Sequence, residues 1–498
     1  MDKTLVVALE KIVERVHPLA VVGTTDDVAV TQVAFDNRSV VPGALFCCLV
    51  GEHADGHDFA AAAYRRGAIA FICEHTLGRD IGQAPQLVVA PGMARPAMAL
   101  AACAFYDDPG RKLRMVGVTG TNGKTTTTQL LRDILEVDGW PTGVIGTLGG
   151  ARTTPEAPKV QQELSELHGN GAVACAMEVT SHALSQHRVD GILFDVAVFT
   201  NLSQDHLDYH HSMESYFAAK AELFTPDRAR FAVVNRDDEY GRRLIARSLV
   251  PTVSYSLDDA RNLEVGLSST RFRLGKRDVI FPMGGRFNVM NALAAAFTAR
   301  ALGVGSDGIV EGLARAERVP GRFEAFEGEN GVVAVVDYAH TPAGLEEVLR
   351  AVRRDREHDA VDRASVTVIF GAGGDRDRGK RPAMGAIASR LADVVVLTND
   401  NPRSEDPQQI VDDIRAGMSG RAQVVVELDR RKAILDTLRS TRPGDVVVVA
   451  GKGHETTQEF SDRTIPFDDR EIVRGELDRL GWRAKRRRAE IEGQAGES

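Results

Sequence analysis

Residues 116–128 read V-G-V-T-G-T-N-G-K-T-T-T-T, a run of small residues that leads into a lysine and four threonines. Small residues after a strand let backbone N–H groups surround phosphate oxygens, and the N-terminus of the next helix adds positive potential. Lys124 supplies a cation for the β- and γ-phosphates, and the Thr125 hydroxyl can ligate Mg²⁺. The run therefore predicts a nucleotide site, which comprises Gly117, Thr119, Gly120, Thr121, Asn122, Gly123, Lys124, Thr125 and Thr126.

The strict phosphate-loop pattern G-x-x-x-x-G-K-[ST] is not met, because Val118 occupies the position of its first glycine. A turn that is rich in Gly and Thr by chance is the alternative interpretation. The buried strand predicted before the loop and the Lys-Thr pair after it favour nucleotide binding. The loop alone leaves hydrolysis, phosphoryl transfer and ligation open.

Short apolar strands alternate with helical stretches along the chain, which predicts parallel sheets flanked by helices. Strands are predicted at 28–36, 44–50, 113–118, 173–178, 196–200, 232–235, 332–337, 366–371, 394–398 and 446–451. Helices are predicted at 57–66 and from Lys124 to about Val137. The predicted fold class is α/β with three domains: the central one has a parallel sheet of the P-loop ATPase type, and the C-terminal one is Rossmann-like.

Turns that contain Pro and Gly mark the expected domain boundaries. Asp108-Pro109-Gly110 separates residues 1–108 from residues 109–321, and Val319-Pro320-Gly321 separates the latter from residues 322–482. Residues 483–498 begin with the basic run R-A-K-R-R-R, and we expect them to form a solvated tail.

Composition narrows the class of protein further. The 498-residue chain has a formal net charge of −9, which argues against broad nucleic-acid binding. It contains no run of about 18 apolar residues, and its N-terminus lacks a signal-peptide core. Five cysteines without metal-binding spacing suggest free thiols in a reducing compartment. We expect a cytoplasmic monomer that contacts neither nucleic acid nor membrane.

Five further segments follow the loop in a characteristic order. They are E-V-T-S-H-A-L at 178–184, T-N-L-S-Q-D-H-L-D-Y-H at 200–210, N-V-M-N at 288–291, D-Y-A-H-T-P at 337–342 and G-K-G-H-E at 451–455. Together with the loop they resemble the Mur ligase family over nearly the whole chain. The resemblance implies ATP-dependent addition of the third amino acid of the peptidoglycan stem peptide.

Such a ligation needs activation of a carboxylate. A carboxylate is a poor electrophile, so ATP first converts it to an acyl phosphate, which an incoming amine attacks through a tetrahedral intermediate. Metal ions and basic groups must offset the repulsion between ATP and the carboxylate. Two alternatives stay open: a related ligase such as folylpolyglutamate synthetase, and a P-loop ATPase or nucleotide-gated binding protein.

By resemblance, Glu178 and His206 ligate Mg²⁺, with Thr125 at the nucleotide-bound metal. Lys220 taken alone would be a solvated side chain on an amphipathic helix. The resemblance instead implies a carbamate formed with CO₂, which is an anionic oxygen ligand that suits Mg²⁺. ATP and Mg²⁺ are the implied cofactors. The implied catalytic residues are Lys124, Glu178, His206, Lys220 and His340.

More nucleotide contacts are implied by the later segments. Asn288 and Asn291 are three residues apart and would face the same way on a helix. By resemblance they contact the nucleotide, although caps or turn residues could look the same. Arg322, Asp337 and His340 would complete the ATP site from the third domain.

The resemblance implies UDP-N-acetylmuramoyl-L-alanyl-D-glutamate as the acceptor. Arg188 is the expected partner of its glutamate carboxylate or pyrophosphate. Thr180 stands where the family usually has serine and keeps the hydroxyl, whereas Asn37 replaces the serine of a family Asp-Ser-Arg segment. The implied acceptor residues are Phe35, Asn37, His53, Ala54 and Asp55 in the first domain and Thr153, Thr154, Thr180, Gln186 and Arg188 in the second.

The segment Asp400-Asn401-Pro402-Arg403 resembles that of family members that add meso-diaminopimelate. Diaminopimelate carries a second carboxylate, which a guanidinium binds through two parallel hydrogen bonds, whereas a guanidinium repels the terminal ammonium of lysine. Arg403 is therefore the discriminating residue, and L-lysine is the alternative amino acid. Glu455 can hold the substrate ammonium. The implied pocket comprises Arg381, Asp400, Asn401, Pro402, Arg403, Gly451 and Glu455.

Overall fold

The computed structural model describes residues 5–51, 54–150, 152–328, 331–358 and 364–481. Three main sheets follow one another along the chain and are flanked by helices, which confirms the predicted α/β class with three domains. Most predicted strands of the second and third sheets lie within a residue of their observed bounds, and Ala232–Asn235 matches at both ends. Within the described residues, no helix is long and apolar enough to cross a membrane.

The first sheet is parallel except for one edge strand, Ala20–Val22, which pairs antiparallel with Gln86–Val88. Its strand order is Ala20–Val22, Gln86–Val88, Ala68–Cys73, Ala44–Cys47 and Gln32–Ala34. A short antiparallel ribbon joins Val7–Ala8 to Ala29–Val30. The α-helices of this part are Leu9–Val16, Ala60–Arg65 and Ala94–Phe105, and the 3-10 helices are Asn37–Ser39, Gly56–Phe59 and Arg79–Ile81.

The central sheet has six parallel strands. Their order is Thr252–Tyr255, Ala232–Asn235, Val196–Phe199, Arg114–Thr119, Ala174–Glu178 and Thr142–Ile145. Neighbouring residues of one strand enter different cores: Met115 packs into one hydrophobic cluster and Val116 into another. Because helices cover both faces of the sheet, its strands are apolar on both sides.

Helices of both the α and the 3-10 type surround the central sheet. The α-helices are Lys124–Val137, Ala157–Gly169, Ser181–Ser185, Leu207–His210, Met213–Ala221, Glu239–Arg247, Arg286–Ala301 and Ser306–Arg315. The 3-10 helices are Pro109–Arg111, Glu222–Phe224 and Leu257–Asp259. An antiparallel sheet of Ala260–Val265, Thr270–Leu274 and Arg277–Phe281 also packs here, and the sequence analysis did not predict it. Phe272 and Phe281 join it to the core.

The strand Arg114–Thr119 lies between Ala174–Glu178 and Val196–Phe199. Glu178 is in register with Val118, and Phe199 is in register with Thr119. Parallel strands end at a common edge, and loops at that edge form the ligand crevice of open α/β sheets. The phosphate loop, Glu178 and the segment after Phe199 therefore meet at one place.

The third sheet has five parallel strands and one antiparallel edge strand, Glu324–Glu327. Its order is Glu324–Glu327, Val333–Asp337, Val446–Ala450, Val366–Phe370, Val394–Leu397 and Gln423–Val426. The helices are Pro342–His358, Lys380–Leu391, Pro407–Arg415, Arg430–Ser440 and Asp469–Arg479. A hairpin of Thr457–Glu459 and Thr464–Pro466 follows the last parallel strand.

A buried ion pair joins two helices of the third domain. Arg430 donates from Nε to Asp469 Oδ1 at 2.9 Å and from Nη2 to Asp469 Oδ2 at 2.7 Å, and both side chains are 0% exposed. Arg430 Nη2 also donates to the carbonyl of Ala450 at 2.9 Å, at the end of a central strand. The pair therefore fixes the strand end from which the G-K-G-H-E segment starts.

We expect Arg430→Ala to lower the free energy of unfolding by about 3–5 kcal/mol, because it leaves the Asp469 carboxylate buried and unpaired. Urea denaturation of the full chain measures the effect. Arg463→Ala is the matched control, since Arg463 pairs with Asp462 on the surface and its loss should cost about 0.5 kcal/mol or less. Equal midpoints for the two variants would contradict the role given to the buried pair.

Candidate active site

The phosphate loop lies between the strand Arg114–Thr119 and the helix Lys124–Val137. Gly123 has a φ of 86°, and a side chain there would collide with the amide of Asn291. The Lys124 ammonium donates to the carbonyls of Gly120 and Thr121, at 2.8 Å each. Burial lowers the pKa of Lys124, and the nearby Glu178 carboxylate opposes that change. The Lys124 ammonium is thus bound to carbonyls of its own loop, and phosphate oxygens could replace them.

Glu178 ends the neighbouring strand and is buried. Its Oε2 accepts hydrogen bonds from the hydroxyls of Thr125 at 3.0 Å and Thr147 at 3.2 Å, and its Oε1 accepts from the Thr147 amide at 2.8 Å. The structure therefore brings Thr125 and Glu178 into direct contact. It adds Thr147, which follows the strand Thr142–Ile145 and which the sequence analysis missed.

Lys220 is buried, so the solvated interpretation of this residue is wrong. Its ammonium donates to the Gly120 carbonyl at 2.9 Å and lies 4.7 Å from the centre of the Tyr216 ring. Burial lowers the pKa of Lys220 well below its ordinary value, and the positive charge of Lys124 lowers it further. A lysine in this setting loses its proton more readily and becomes a nucleophilic amine.

His206 precedes a short helix and has a φ of 54°. Its Nε2 lies 3.3 Å from Asp205 Oδ2. Burial lowers the pKa of His206 to about 4, with Lys124 and Lys220 acting in the same direction and Asp205 opposing them. The imidazole is therefore neutral at pH 7, which is the form that binds metal ions. The ring of His182, another residue missed by the sequence analysis, stands edge-on to it at 4.8 Å.

The oxygen donors at this place suit Mg²⁺, a hard cation that prefers carboxylate, hydroxyl and phosphate oxygens. Glu178 and Thr125 already point their oxygens at each other across 3.0 Å. Lys220 would add oxygen ligands only as a carbamate. Among the described residues, no group of three or more His, Cys, Asp and Glu side chains could hold a metal ion by itself. A metal here would thus need oxygens from substrate, water or a carbamate.

The third domain reaches the phosphate loop through Arg322. Its Nη2 donates to the Thr125 hydroxyl at 3.1 Å, and its guanidinium lies 4.3 Å from the centre of the Tyr338 ring. Asp337 accepts hydrogen bonds from the amides of Phe323 and Ala339, at 2.7 Å each. Burial raises the pKa of Asp337 to about 6, against the pull of Arg322. The hydrogen bond from Arg322 thus places an arginine of the third domain on the Thr125 hydroxyl, which is predicted to bind a metal ion.

Asn288 and Asn291 lie on one face of the helix Arg286–Ala301, as predicted. Asn291 Nδ2 donates to Asn288 Oδ1 at 3.2 Å, and Asn288 Nδ2 donates to the Gly284 carbonyl at 2.8 Å. His340 Nδ1 lies 2.7 Å from the Tyr338 carbonyl oxygen, and burial lowers the pKa of His340.

A cleft of about 670 Å³ connects these groups. Residues 121–126 of the phosphate loop line it, and so do Glu178, His206, Asn288, Asn291, Arg322, Asp337 and His340. Such a volume accommodates a nucleotide-sized ligand. Within the described part of the chain, Lys220 and the 400–403 segment lie outside the lining of this cleft.

The predicted acceptor residues of the second domain form one network. Arg188 Nη1 donates to the Thr154 carbonyl at 2.9 Å, and its Nη2 donates to Gln186 Oε1 at 2.7 Å. The Thr154 hydroxyl donates to the Glu178 carbonyl at 2.8 Å and accepts from the Thr180 amide at 3.1 Å. Thr153 joins the network through Thr147, with 3.1 Å between the hydroxyl oxygens.

Glu156 completes this network, and the sequence analysis missed it. Its carboxylate is bound by three guanidinium groups: Arg152 at 2.7 Å, Arg188 at 3.0 Å and Arg95 of the first domain at 3.4 Å. Three positive charges around one carboxylate leave an excess of positive charge. The cluster can therefore attract a further anion.

The predicted residues of the first domain follow two neighbouring parallel strands, Gln32–Ala34 and Ala44–Cys47. Phe35 is exposed, and Asn37 opens a 3-10 helix. Ala54 and Asp55 belong to the loop after the second strand, where Asp55 accepts a hydrogen bond from the His57 amide at 2.9 Å. His53 lies outside the described residues.

The 400–403 and 451–455 segments meet in the third domain. Asn401 Nδ2 donates to Glu455 Oε2 at 2.9 Å, and Asn401 Oδ1 accepts from Lys452 Nζ at 2.9 Å. Lys452 Nζ also donates to Glu455 Oε2 at 2.7 Å. A side chain at Gly451 would collide with the carboxylate of Asp400. Glu455 was predicted from the sequence and Lys452 was not, although their spacing of three residues was a usable signal.

Arg381, which the resemblance places in the amino-acid pocket, is fully buried. Its guanidinium binds both oxygens of Glu405 at 2.9 and 3.0 Å and one oxygen of Asp413 at 2.8 Å. Its Nη2 also donates to the Gly373 carbonyl at 3.3 Å. In this arrangement Arg381 holds the loop 373–379 in place. A direct contact with substrate would require it to exchange one of these partners.

Fold and cleft together define a P-loop nucleotide-binding enzyme whose site is shared by two domains. Models of the "Mur ligase family, catalytic domain", the "Mur ligase middle domain" and the "Mur ligase, glutamate ligase domain" match residues 29–105, 118–299 and 321–453. The chain belongs to the Mur ligase family. It is an ATP-using acid–amino-acid ligase.

Individual relatives carry one name, UDP-N-acetylmuramoyl-L-alanyl-D-glutamate–2,6-diaminopimelate ligase. The one from Geobacillus kaustophilus is 42% identical over 485 residues, which cover 92% of this chain and 96% of the relative. The one from Gloeobacter violaceus is 43% identical over 470 residues, which cover 91% and 94%. A solved structure of a ligase of this name is 33% identical, with a TM-score of 0.65 and coverage of 94% of this chain and 99% of that one.

Thr147→Val tests whether the Thr147 hydroxyl holds Glu178 in its working position. The variant keeps the backbone amide bond to Glu178 and removes the hydroxyl bond, so we expect kcat/KM to fall roughly tenfold, the effect of losing one hydrogen bond to a charged group. Steady-state ligation assays measure it. Thr147→Ser retains the hydroxyl and should recover most of the activity. Equal rates for Thr147→Val and the unmodified chain would contradict the role of this contact.

Proposed function

We propose that the chain joins meso-2,6-diaminopimelate to UDP-N-acetylmuramoyl-L-alanyl-D-glutamate with the breakdown of ATP, a cytoplasmic step of peptidoglycan synthesis. One observation carries the proposal: Arg322 of the third domain contacts Thr125 of the phosphate loop, directly beside the Glu178 carboxylate. This geometry concentrates cations where ATP and a carboxylate must meet. The names of the relatives supply the two substrates.

The reaction proceeds in two steps. An oxygen of the acceptor carboxylate attacks the γ-phosphorus, the bond to the β-phosphate oxygen breaks, and ADP leaves. The amine nitrogen of the incoming amino acid then attacks the acyl carbon, and the tetrahedral intermediate expels inorganic phosphate and loses a proton. Lys124 and Arg322 offset the negative charge that accumulates on the transferred phosphoryl group.

Mg²⁺ is the proposed cofactor, held by Thr125, Glu178, His206 and Lys220 as its carbamate. The ion would bring ATP and the acceptor carboxylate together and neutralise part of their charge. Buried Lys220 next to Lys124 supports carbamate formation, because a neutral amine nitrogen can attack CO₂. His340 and Asp337 would contact the substrates from the third domain, and Asn288 and Asn291 would contact the nucleotide.

The acceptor would extend from the cleft toward the first domain. The arginine cluster around Glu156 suits its glutamate carboxylate or pyrophosphate. The uridine would be held by Phe35, Asn37, His53, Ala54 and Asp55. These positions support a division of labour among residues 1–108 for the nucleotide sugar, 109–321 for ATP and 322–482 for the amino acid. We propose that a single copy of the chain contains the whole site.

The incoming amino acid would bind at the 400–403 and 451–455 segments. The guanidinium of Arg403 suits the distal carboxylate of diaminopimelate, and Glu455 suits an ammonium group. Asp400, Asn401, Pro402 and Gly451 shape the same pocket. Arg381 would support this pocket indirectly, through its ion pair with Glu405.

A substrate-dependence assay tests the proposal. We expect phosphate release only when ATP, the nucleotide-sugar acceptor and meso-diaminopimelate are all present, with a much higher kcat/KM for diaminopimelate than for L-lysine. Preference for L-lysine would reassign the amino acid and the role of Arg403. Phosphate release without acceptor would instead indicate a P-loop ATPase, and activity on a pteridine acceptor would indicate a folylpolyglutamate synthetase.

Lys220→Ala removes the proposed carbamate, and we expect it to lose most of the ligase activity. Added short carboxylates such as acetate or formate should restore part of that activity, because they can supply the missing oxygen ligand. The rate of ligation is measured with and without the carboxylate. Lys276→Ala is the control, since that lysine lies in the turn between two strands of the antiparallel sheet. Normal activity in Lys220→Ala would refute the assignment.

A further inference from the structure

The hairpin 457–466 packs against the segment that carries Arg403. Gln458 Nε2 donates to the Asp400 carbonyl at 2.8 Å, and the Glu459 amide donates to Asn401 Oδ1 at 3.0 Å. The Arg403 amide donates to the Glu459 carbonyl at 3.2 Å. One strand of the hairpin therefore binds the backbone of Asp400 and Arg403 and the side chain of Asn401. It also supports Arg403 in a left-handed conformation with a φ of 51°.

The Arg403 side chain is held by the same strand. Its Nε donates to Glu459 Oε2 at 2.8 Å, and its Nη1 donates to the Gly374 carbonyl at 2.8 Å. A guanidinium has five N–H donors: one on Nε and two on each terminal nitrogen. Within the described part of the chain, Nη2 makes no hydrogen bond. One donor on Nη1 and both donors on Nη2 therefore remain for a ligand.

We propose that Glu459 is a positioning residue for amino-acid selection: by binding Nε of Arg403, it directs the Nη1–Nη2 edge to the distal carboxylate of the incoming amino acid. A carboxylate binds such an edge through two parallel hydrogen bonds, so the direction of the edge sets the affinity. This inference rests on the proposed function. It adds a residue that does not itself touch the substrate.

The negative charge of Glu459 has an opposing effect, because it repels the substrate carboxylate that Arg403 attracts. The Glu459 side chain is 44% exposed, so water and salt screen that repulsion. An arginine side chain that is free to rotate loses much of its entropy when it binds a ligand. Because Glu459 already restricts the Arg403 side chain in the free protein, less entropy remains to be lost when the ligand binds. We infer that positioning outweighs repulsion, which fixes the sign of the expected effect.

Glu459→Ala tests the inference in the full chain by steady-state kinetics. We expect KM for meso-diaminopimelate to rise roughly tenfold, the effect of losing one charge-assisted hydrogen bond. The kcat and the KM values for ATP and acceptor should change by no more than about twofold. Preference for diaminopimelate over L-lysine should fall by the same factor. Glu459→Gln keeps an oxygen that accepts from Nε and should show a smaller rise.

Asp462→Ala is the matched control, since Asp462 lies in the turn of the same hairpin and pairs with exposed Arg463. It should leave all kinetic constants and the thermal midpoint unchanged. An unchanged or lowered KM for diaminopimelate in Glu459→Ala would overturn the inference while the proposed function stands. A matching rise in KM for ATP, or a lower thermal midpoint than the control, would show a general structural role and overturn it as well. Failure of the unmodified chain to ligate diaminopimelate would instead refute the proposed function itself.

Discussion

Two ammonium groups share one backbone carbonyl at the carboxyl edge of the central sheet. Lys124 and Lys220 both donate to the oxygen of Gly120, at 2.8 and 2.9 Å. Burial and mutual repulsion make this arrangement costly for two full charges, and they lower the pKa of Lys220. A polyphosphate bound here would relieve the repulsion by giving Lys124 a new partner. A chain of net charge −9 thereby concentrates positive charge at the phosphate loop, where the proposed function places its anionic substrates.

Completion of the site depends on a group from another domain. Arg322 binds the hydroxyl of Thr125, which also donates to Glu178, so one side chain of the loop connects both domains. Closure of the third domain onto the central domain would therefore directly change the surroundings of a bound nucleotide. The proposed amino-acid pocket is built differently, from a polar network of buried Asn401 and Lys452 with the partly exposed Glu455. Networks whose members satisfy one another are rigid, which suits selection between similar amino acids.

Local sequence was sufficient for much of the fold and for the nucleotide loop. Strands buried on both faces are continuous apolar runs, so bounds such as Ala232–Asn235 could be found without a structure. The glycines before Lys124 and the helix after it are also local features. Glu178 could be placed at the edge of the sheet because it ends such a run. The antiparallel sheet that begins at Ala260 escaped prediction, because its strands are partly exposed and less apolar.

Tertiary structure decided which side chains have which partners. Lys220 looks like a solvated helix residue in sequence, and it is buried because the phosphate loop, one hundred residues away, packs over it. Arg381 was predicted from sequence to complete a pocket, and only the structure shows that Glu405 and Asp413 bind its buried guanidinium. Glu156 lies among three arginines, of which Arg188 and Arg95 come from distant parts of the sequence. Sequence by itself thus determined the family, the loop and the strand ends, since these depend on neighbouring residues. Burial and pairing depend on contacts between distant segments, and only the folded chain sets them.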